Sequence, residues 1–106
     1  MAKLIALYRR PRDKVAFDRY YQEVHAPLAS QIPGLRGYEV SRGSVVELGN
    51  CSAYYMAAIL TFDSKAALHA ALESPEGRAA AEDLKRFATG GVDLFVFEHG
   101  EIALTV

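Results

Sequence analysis

The sequence predicts an α+β domain, one antiparallel sheet with helices on a single face, in the element order β-α-β-β-α-β. Three observations carry this. Apolar or aromatic runs of strand length are bounded by Gly, Pro, Asn or Asp. Two stretches between them change from a period of two residues to that of a helix. The strands are apolar on both sides, yet no further elements are left to cover the second side.

The first strand is Leu4 to Tyr8, apolar throughout and closed by Arg9-Arg10-Pro11. An unbroken apolar run of this length reads as a strand buried on both faces. The basic cluster Arg9, Arg10, Arg12 and Lys14 contains Asp13 and reads as a solvated loop. Asp13 can cap the next helix, since its carboxylate accepts from open backbone N–H groups and complements the dipole. That helix is expected from about Lys14 to His25, with a weaker turn through Leu28 to Gln31. Its apolar stripe is Phe17, Tyr20, Tyr21, Val24 and Leu28, at i, i+3, i+4, i+7 and i+11. His25 lies along the edge of the stripe, one turn after Tyr21. Pro27 lacks a donor and disfavours α geometry at Ala26, so the helix is expected to kink or end near His25.

Ile32-Pro33-Gly34 signals a turn. Leu35 to about Glu47 reads as the second strand, with Gly37 and Gly43 as bulge points. Gly49-Asn50 has the glycine-first chemistry of a two-residue type II′ hairpin. Ala53 to Phe62 returns, with Tyr54, Met56, Ala58, Leu60 and Phe62 on one face and Tyr55, Ala57, Ile59 and Thr61 on the other. Asp63 or Ser64 caps a helix from Lys65 to about Leu72. Ser74 and Pro75, at N-cap and N1, open an alanine-rich helix that runs to Phe87. Val92 to Glu98 is the last strand. Ile102 to Val106 is a short apolar tail, an added edge strand or a docking arm.

Length fixes one domain over residues 1–106. A hydrophobic share of 51% against 24% charged is that of a globular chain, not a disordered one. A net charge of −1 recruits neither nucleic acid nor an anionic membrane. The RNP1 signature of RNA-binding domains with this element order is missing. The apolar N-terminal run is too short for a signal or a span, and the lone Cys51 fits a reducing compartment, so a cytoplasmic location is expected. Cys51 lacks an evident base, and no G-x-G-x-x-G, P-loop or G-x-S-x-G pattern is present. His25, His69 and His99 show no metal-ligand spacing. No metal and no cofactor are therefore expected. The uncovered sheet face is expected to be covered by a second copy, giving a homodimer.

His25 is the first candidate for chemistry, because imidazole works as general acid or base near neutral pH. Tyr21 is its candidate catalytic partner, sharing a substrate or a proton. The plainer reading is a histidine bonded to carbonyls freed by Pro27. Tyr8, Tyr38 and Tyr54 lie on strands and are candidate substrate-binding residues, suited to a small organic ligand; the plainer reading puts them in the core or a dimer interface.

Tyr8 to Pro11, then Phe17, Tyr20, Tyr21 and His25-Ala26-Pro27-Leu28, closely resemble the EthD family. Ile32 to Arg36, Leu60 to Ser64 and Ser74 to Gly77 are similar too, so the resemblance runs to about Glu98. Here Tyr20-Tyr21 stands where the family more often has Tyr-Trp. The resemblance implies a ferredoxin-like unit that dimerises into an α+β barrel. Distant relatives on that barrel bind haem through one histidine, of which this sequence carries no positive sign. Functionally the resemblance implies a small protein acting on, or binding, a small oxygenated or aromatic molecule in catabolism. Two readings stay open. One is a cofactor-free oxidoreductase- or isomerase-like enzyme with His25 as general acid/base. The other is a non-catalytic carrier or accessory dimer supporting a partner oxygenase.

Overall fold

A computed structural model of the chain describes residues 1–50 and 52–105. The elements are β1 (Ala2–Arg9), α1 (Lys14–Tyr20), a π-helical turn (Tyr21–His25), α2 (Ala26–Ala29), β2 (Gly37–Val40), β3 (Tyr54–Phe62), α3 (Lys65–Glu73), α4 (Pro75–Phe87) and β4 (Val92–Glu98). The strands form one antiparallel sheet in the order β2-β3-β1-β4. This is the predicted α+β, ferredoxin-like arrangement, with the helices on one face. The three expected caps form: Asp13, Ser64 and Ser74 accept from the backbone N–H groups of Ala16, Ala67 and Gly77. Asp63 instead makes a two-point ion pair with Arg36.

The central strand is not buried on both faces, as its apolar run suggested. Ala2, Leu4, Ala6 and Tyr8 face the helices and are buried, whereas Lys3, Ile5 and Leu7 on the other face are half-buried. One chain supplies only one covering layer. The outer face nevertheless carries the expected apolar surface: Ile5 pairs with Ile59 and Phe95, and Lys3 with Thr61 and Phe97. Phe95 and Phe97 are 51% and 44% exposed.

Four further expectations are corrected. The second strand stops at Val40 rather than near Glu47, because Gly43 turns the chain with φ +75° and the apolar residues beyond it do not pack, Val46 being 74% exposed. The turn after it has Glu47 accepting from the Asn50 N–H with Gly49 at φ +85°. Glycine thus takes the second central position, and the type II′ geometry expected of Gly49-Asn50 does not form. The tail shows no added strand over residues 102–105. Cys51 and Val106 lie outside the described residues.

The fourth correction matters most for the site. Tyr8 pairs with Met56 but Arg9 pairs with Tyr54, so Tyr55 is an extra residue and the strand bulges. A one-residue slip exchanges the faces. The predicted alternation holds from Met56 to Phe62 and is reversed at the two tyrosines. Tyr55 turns toward the helices, where its hydroxyl donates to Asp18 on α1 at 2.8 Å and its ring meets Phe17 edge-on. Tyr54 turns to the outer face, under the Arg9 guanidinium, and donates to Asp93 at 2.9 Å.

Candidate functional site

The site begins in the first helical stretch, which does not end at His25. Ala26 sits at φ −62°, ψ −45°, in the α region, and the chain continues into α2. Pro27 cannot donate the bond that an α-helix would direct to Glu23. The chain absorbs this with a wider turn, in which the Ala26 N–H reaches back five residues to the Tyr21 carbonyl. The widening changes which residues face inward. The buried positions are Phe17, Tyr21, His25 and Ala29, each four apart, while Val24 is 41% exposed. In a plain α-helix each step of four overshoots a full turn by about 40°. A π turn takes up that drift. His25 therefore stands in the centre of the buried face, not at its edge, with its ring 4.6 Å from that of Phe87 and 5.3 Å from that of Tyr21.

The partner of His25 is a side chain, not a freed carbonyl. Nδ1 lies 3.0 Å from Asp83 Oδ2, with His25 5% and Asp83 2% exposed. Asp83 also accepts from the Tyr20 hydroxyl at 2.6 Å and from Arg86 at 3.4 Å. Burial pushes the Asp83 carboxyl up. Tyr20, His25 and Arg86 together outweigh burial and hold it below its usual range. Asp83 is then a carboxylate and can only accept, so Nδ1 must carry the proton. Burial also holds the imidazole below its usual 6.5, with Asp83 offsetting part of the effect. At neutral pH His25 is uncharged, and the lone pair is on Nε2, for which the described residues offer no hydrogen-bond partner.

His25 lines a cavity of about 70 Å³ between the sheet and the helices. Tyr8, Tyr21 and Tyr38 line it too, with Leu4, Ala6, Ala58 and Leu60 from the sheet and Ala80 and Leu84 from α4. Tyr21 and Tyr38 share a hydrogen bond through their hydroxyls. Burial raises the pKa of Tyr8, Tyr21 and Tyr38 alike, so all three stay protonated. A larger hollow on the other side of Tyr21, under residues 41–44, is lined by Asp18 and Tyr55, which satisfy each other. Among the described residues, the inner cavity is where a histidine lone pair and tyrosine side chains share one wall.

Four of the five candidate residues, His25, Tyr21, Tyr8 and Tyr38, thus meet in one cavity. Tyr54 does not, because the bulge turns it to the outer face. His69 is exposed on α3 and stands apart. Asp83 was missed, although the sequence carried a signal for it. On α4 the buried positions are Gly77, Ala80, Asp83 and Phe87. A carboxylate on an apolar stripe demands a donor. Among the described residues no three His, Cys, Asp or Glu side chains gather as a metal site, and no helix is long and apolar enough to cross a membrane.

Comparison with known proteins adds the following. The sequence model of the EthD domain matches residues 9–91. An uncharacterized 11.0 kDa protein from the thcB-thcC intergenic region of Rhodococcus erythropolis is 38% identical over 94 residues, 89% of this chain and 90% of its own length. The crystal structure of an ethyl tert-butyl ether d (EthD) family protein from Bacillus halodurans matches with a TM-score of 0.85 at 38% identity, covering 94% of this chain and 99% of that one. Two less similar structures share the fold. One is a dimeric ferredoxin-like protein of unknown function from Thermobifida fusca, at TM-score 0.67 and 21% identity over 91% of this chain and 88% of that one. The other is SnoaB, a cofactor-independent oxygenase from Streptomyces nogalater, at TM-score 0.67 and 14% identity over 95% and 94% of the two chains.

Proposed function

The chain belongs to the EthD family, and from that premise we propose a cytoplasmic homodimeric enzyme of catabolism. It acts on a small oxygenated or aromatic organic molecule with His25 as general acid/base. The carrying observation is the imidazole itself: Nδ1 is tied to buried Asp83, and Nε2, without a partner among the described residues, shares an apolar cavity with Tyr8, Tyr21 and Tyr38. Nε2 takes a proton from the ligand, and the Asp83 carboxylate steadies the imidazolium until the proton is returned. Tyr8, Tyr21 and Tyr38 bind the ligand. The apolar outer sheet face supports pairing with a second copy, and the Thermobifida fusca neighbour is a dimer of the same fold.

A second reading, a ligand-carrying or accessory dimer for a partner oxygenase, is favoured by one observation, the near-complete burial of His25. Native mass spectrometry of purified protein, followed by turnover assays of wild type and His25→Gln on any retained ligand, separates the two. The enzyme reading expects His25→Gln to lose about a hundredfold or more while staying dimeric. Equal turnover in a folded dimer removes His25 from the chemistry.

A further inference from the structure

The two polar functions that meet in the cavity are complementary, and their hydrogen count narrows the ligand. Two hydroxyls bring two hydrogens, and the Tyr21–Tyr38 link uses one. Tyr8 lies beside Tyr21 with ring centroids 5.7 Å apart, and extending the row to it changes nothing, since an open row of hydroxyls has one hydrogen more than it has links. That spare hydrogen has no acceptor among the described residues and needs an oxygen from the cavity's occupant. In the same cavity His25 Nε2 offers a lone pair and needs a proton. None of the described residues lining the cavity is Lys, Arg, Asp or Glu. A carboxylate, phosphate or ammonium ligand would therefore be buried without a countercharge. At about 10–15 Å³ for each water-sized group, the 70 Å³ cavity holds a molecule of only a few non-hydrogen atoms.

We propose that the substrate is a short, uncharged ketone or aldehyde, its oxygen held by the Tyr21–Tyr38 hydroxyl pair while His25 Nε2 removes a proton from the neighbouring carbon. This rests on the general-base role of His25. In the step the C–H bond breaks and its proton goes to Nε2. The bonding pair forms a C=C bond, and the carbonyl π pair moves onto oxygen as an enolate, which the spare hydroxyl hydrogen stabilises. The proton then returns to oxygen or to another carbon. The outcome is a tautomerisation or isomerisation that needs no oxidant and leaves the molecular formula unchanged. Because burial keeps the tyrosines protonated, they act as donors throughout.

The test is deuterium exchange into 2-butanone and cyclopentanone, followed by proton NMR in D2O, with pyruvate as the charged control and imidazole at equal concentration as the reference. Exchange of the neutral ketones is expected about a hundredfold above imidazole, with none above it for pyruvate. The Tyr21→Phe/Tyr38→Phe double variant is expected to lose about a hundredfold, and Tyr38→Phe alone about tenfold if the double variant does not fold. Nitrogen-15 NMR of His25 accompanies each sample. Absent exchange, or exchange that survives loss of the hydroxyls, with Nδ1 protonated, overturns this inference and leaves the general-base reading standing. An Nε2-protonated imidazole overturns both.

Discussion

Replacing Asp83 with Asn removes one charge and almost no volume, so its effects come from the hydrogen bonds that converge there. Three donors reach the carboxylate: Tyr20 at 2.6 Å, His25 at 3.0 Å and Arg86 at 3.4 Å. A hydrogen bond to a charged group contributes about 1.5–3 kcal/mol net. Arg86 is largely exposed, so its share is below about 1 kcal/mol. An amide keeps one accepting oxygen and adds a donor. If that oxygen faces Tyr20, the NH2 faces His25 and drives the ring proton to Nε2. If the amide flips, Nδ1 keeps its proton but no negative charge remains to steady an imidazolium. Either way His25 becomes a worse base, and its pKa, already lowered by burial and partly restored by Asp83, falls further. The expected cost is about 2–3 kcal/mol of stability, or roughly 10 °C in melting temperature at fixed protein concentration. Turnover should drop about a hundredfold or more. Denaturant unfolding, a His25 titration by NMR and the ketone exchange assay read the three effects. A variant within about 0.5 kcal/mol of wild type, with His25 titrating unchanged, would show that the buried pair does not form in solution.

The same pair sets a pH dependence. His25 has a folded pKa below its unfolded 6.5, so the unfolded chain binds the extra proton and stability declines as pH falls below about 6.5. Asp83, also lowered, adds a second decline as pH falls below its usual 3.8 and through its folded value. Urea midpoints measured from pH 8 to pH 3 should show both, and the first should vanish in His25→Gln. Gly77→Ala should cost about 1–3 kcal/mol by equilibrium unfolding, because a Cβ there collides with the Ala71 carbonyl where α4 starts against α3. Phe95→Asp on the outer sheet face should convert the proposed homodimer to a folded monomer by analytical ultracentrifugation, since a carboxylate cannot be buried unpaired between two apolar sheets. A wild-type chain that sediments as a monomer at high concentration removes the basis for that interface.

Much of the architecture could be read from the sequence, because its signals are local. Asp13, Ser64 and Ser74 act where side-chain chemistry says they should, and β3 and β4 end within a residue of their predicted limits. The second strand reads too long in the sequence because Tyr38, Val40 and Arg42 alternate plausibly with Glu39 and Ser41 while nothing local says where pairing stops. The candidate site was legible as a set of residues but not as a geometry. Asp83 was the readable omission, an acid in phase with Ala80 and Phe87 on a helix that must bury one side.

Two departures from regular structure hid the rest, one in the cavity wall and one beside the neighbouring hollow. The π turn brings His25 to the buried centre of its helix, in step with Tyr21. The bulge sends Tyr54 outward and turns Tyr55 inward onto Asp18 of α1, three residues before Tyr21. Neither has a periodic signature, because each changes the period itself, and adjacent tyrosines at 54 and 55 give no hint of which faces in. Packing alone does not call for them: Val24 on a plain α-helix would fill apolar space without placing an imidazole in it. Local rules give way at functional sites when tertiary contacts over-determine the irregular conformation. Here those contacts are the Asp83 bond to His25 and the hydroxyl link between Tyr21 and Tyr38. The side chains that hold the π turn in place are therefore the same ones assigned to the chemistry, which is why a folded variant lacking the Asp83 charge is the most informative one to make.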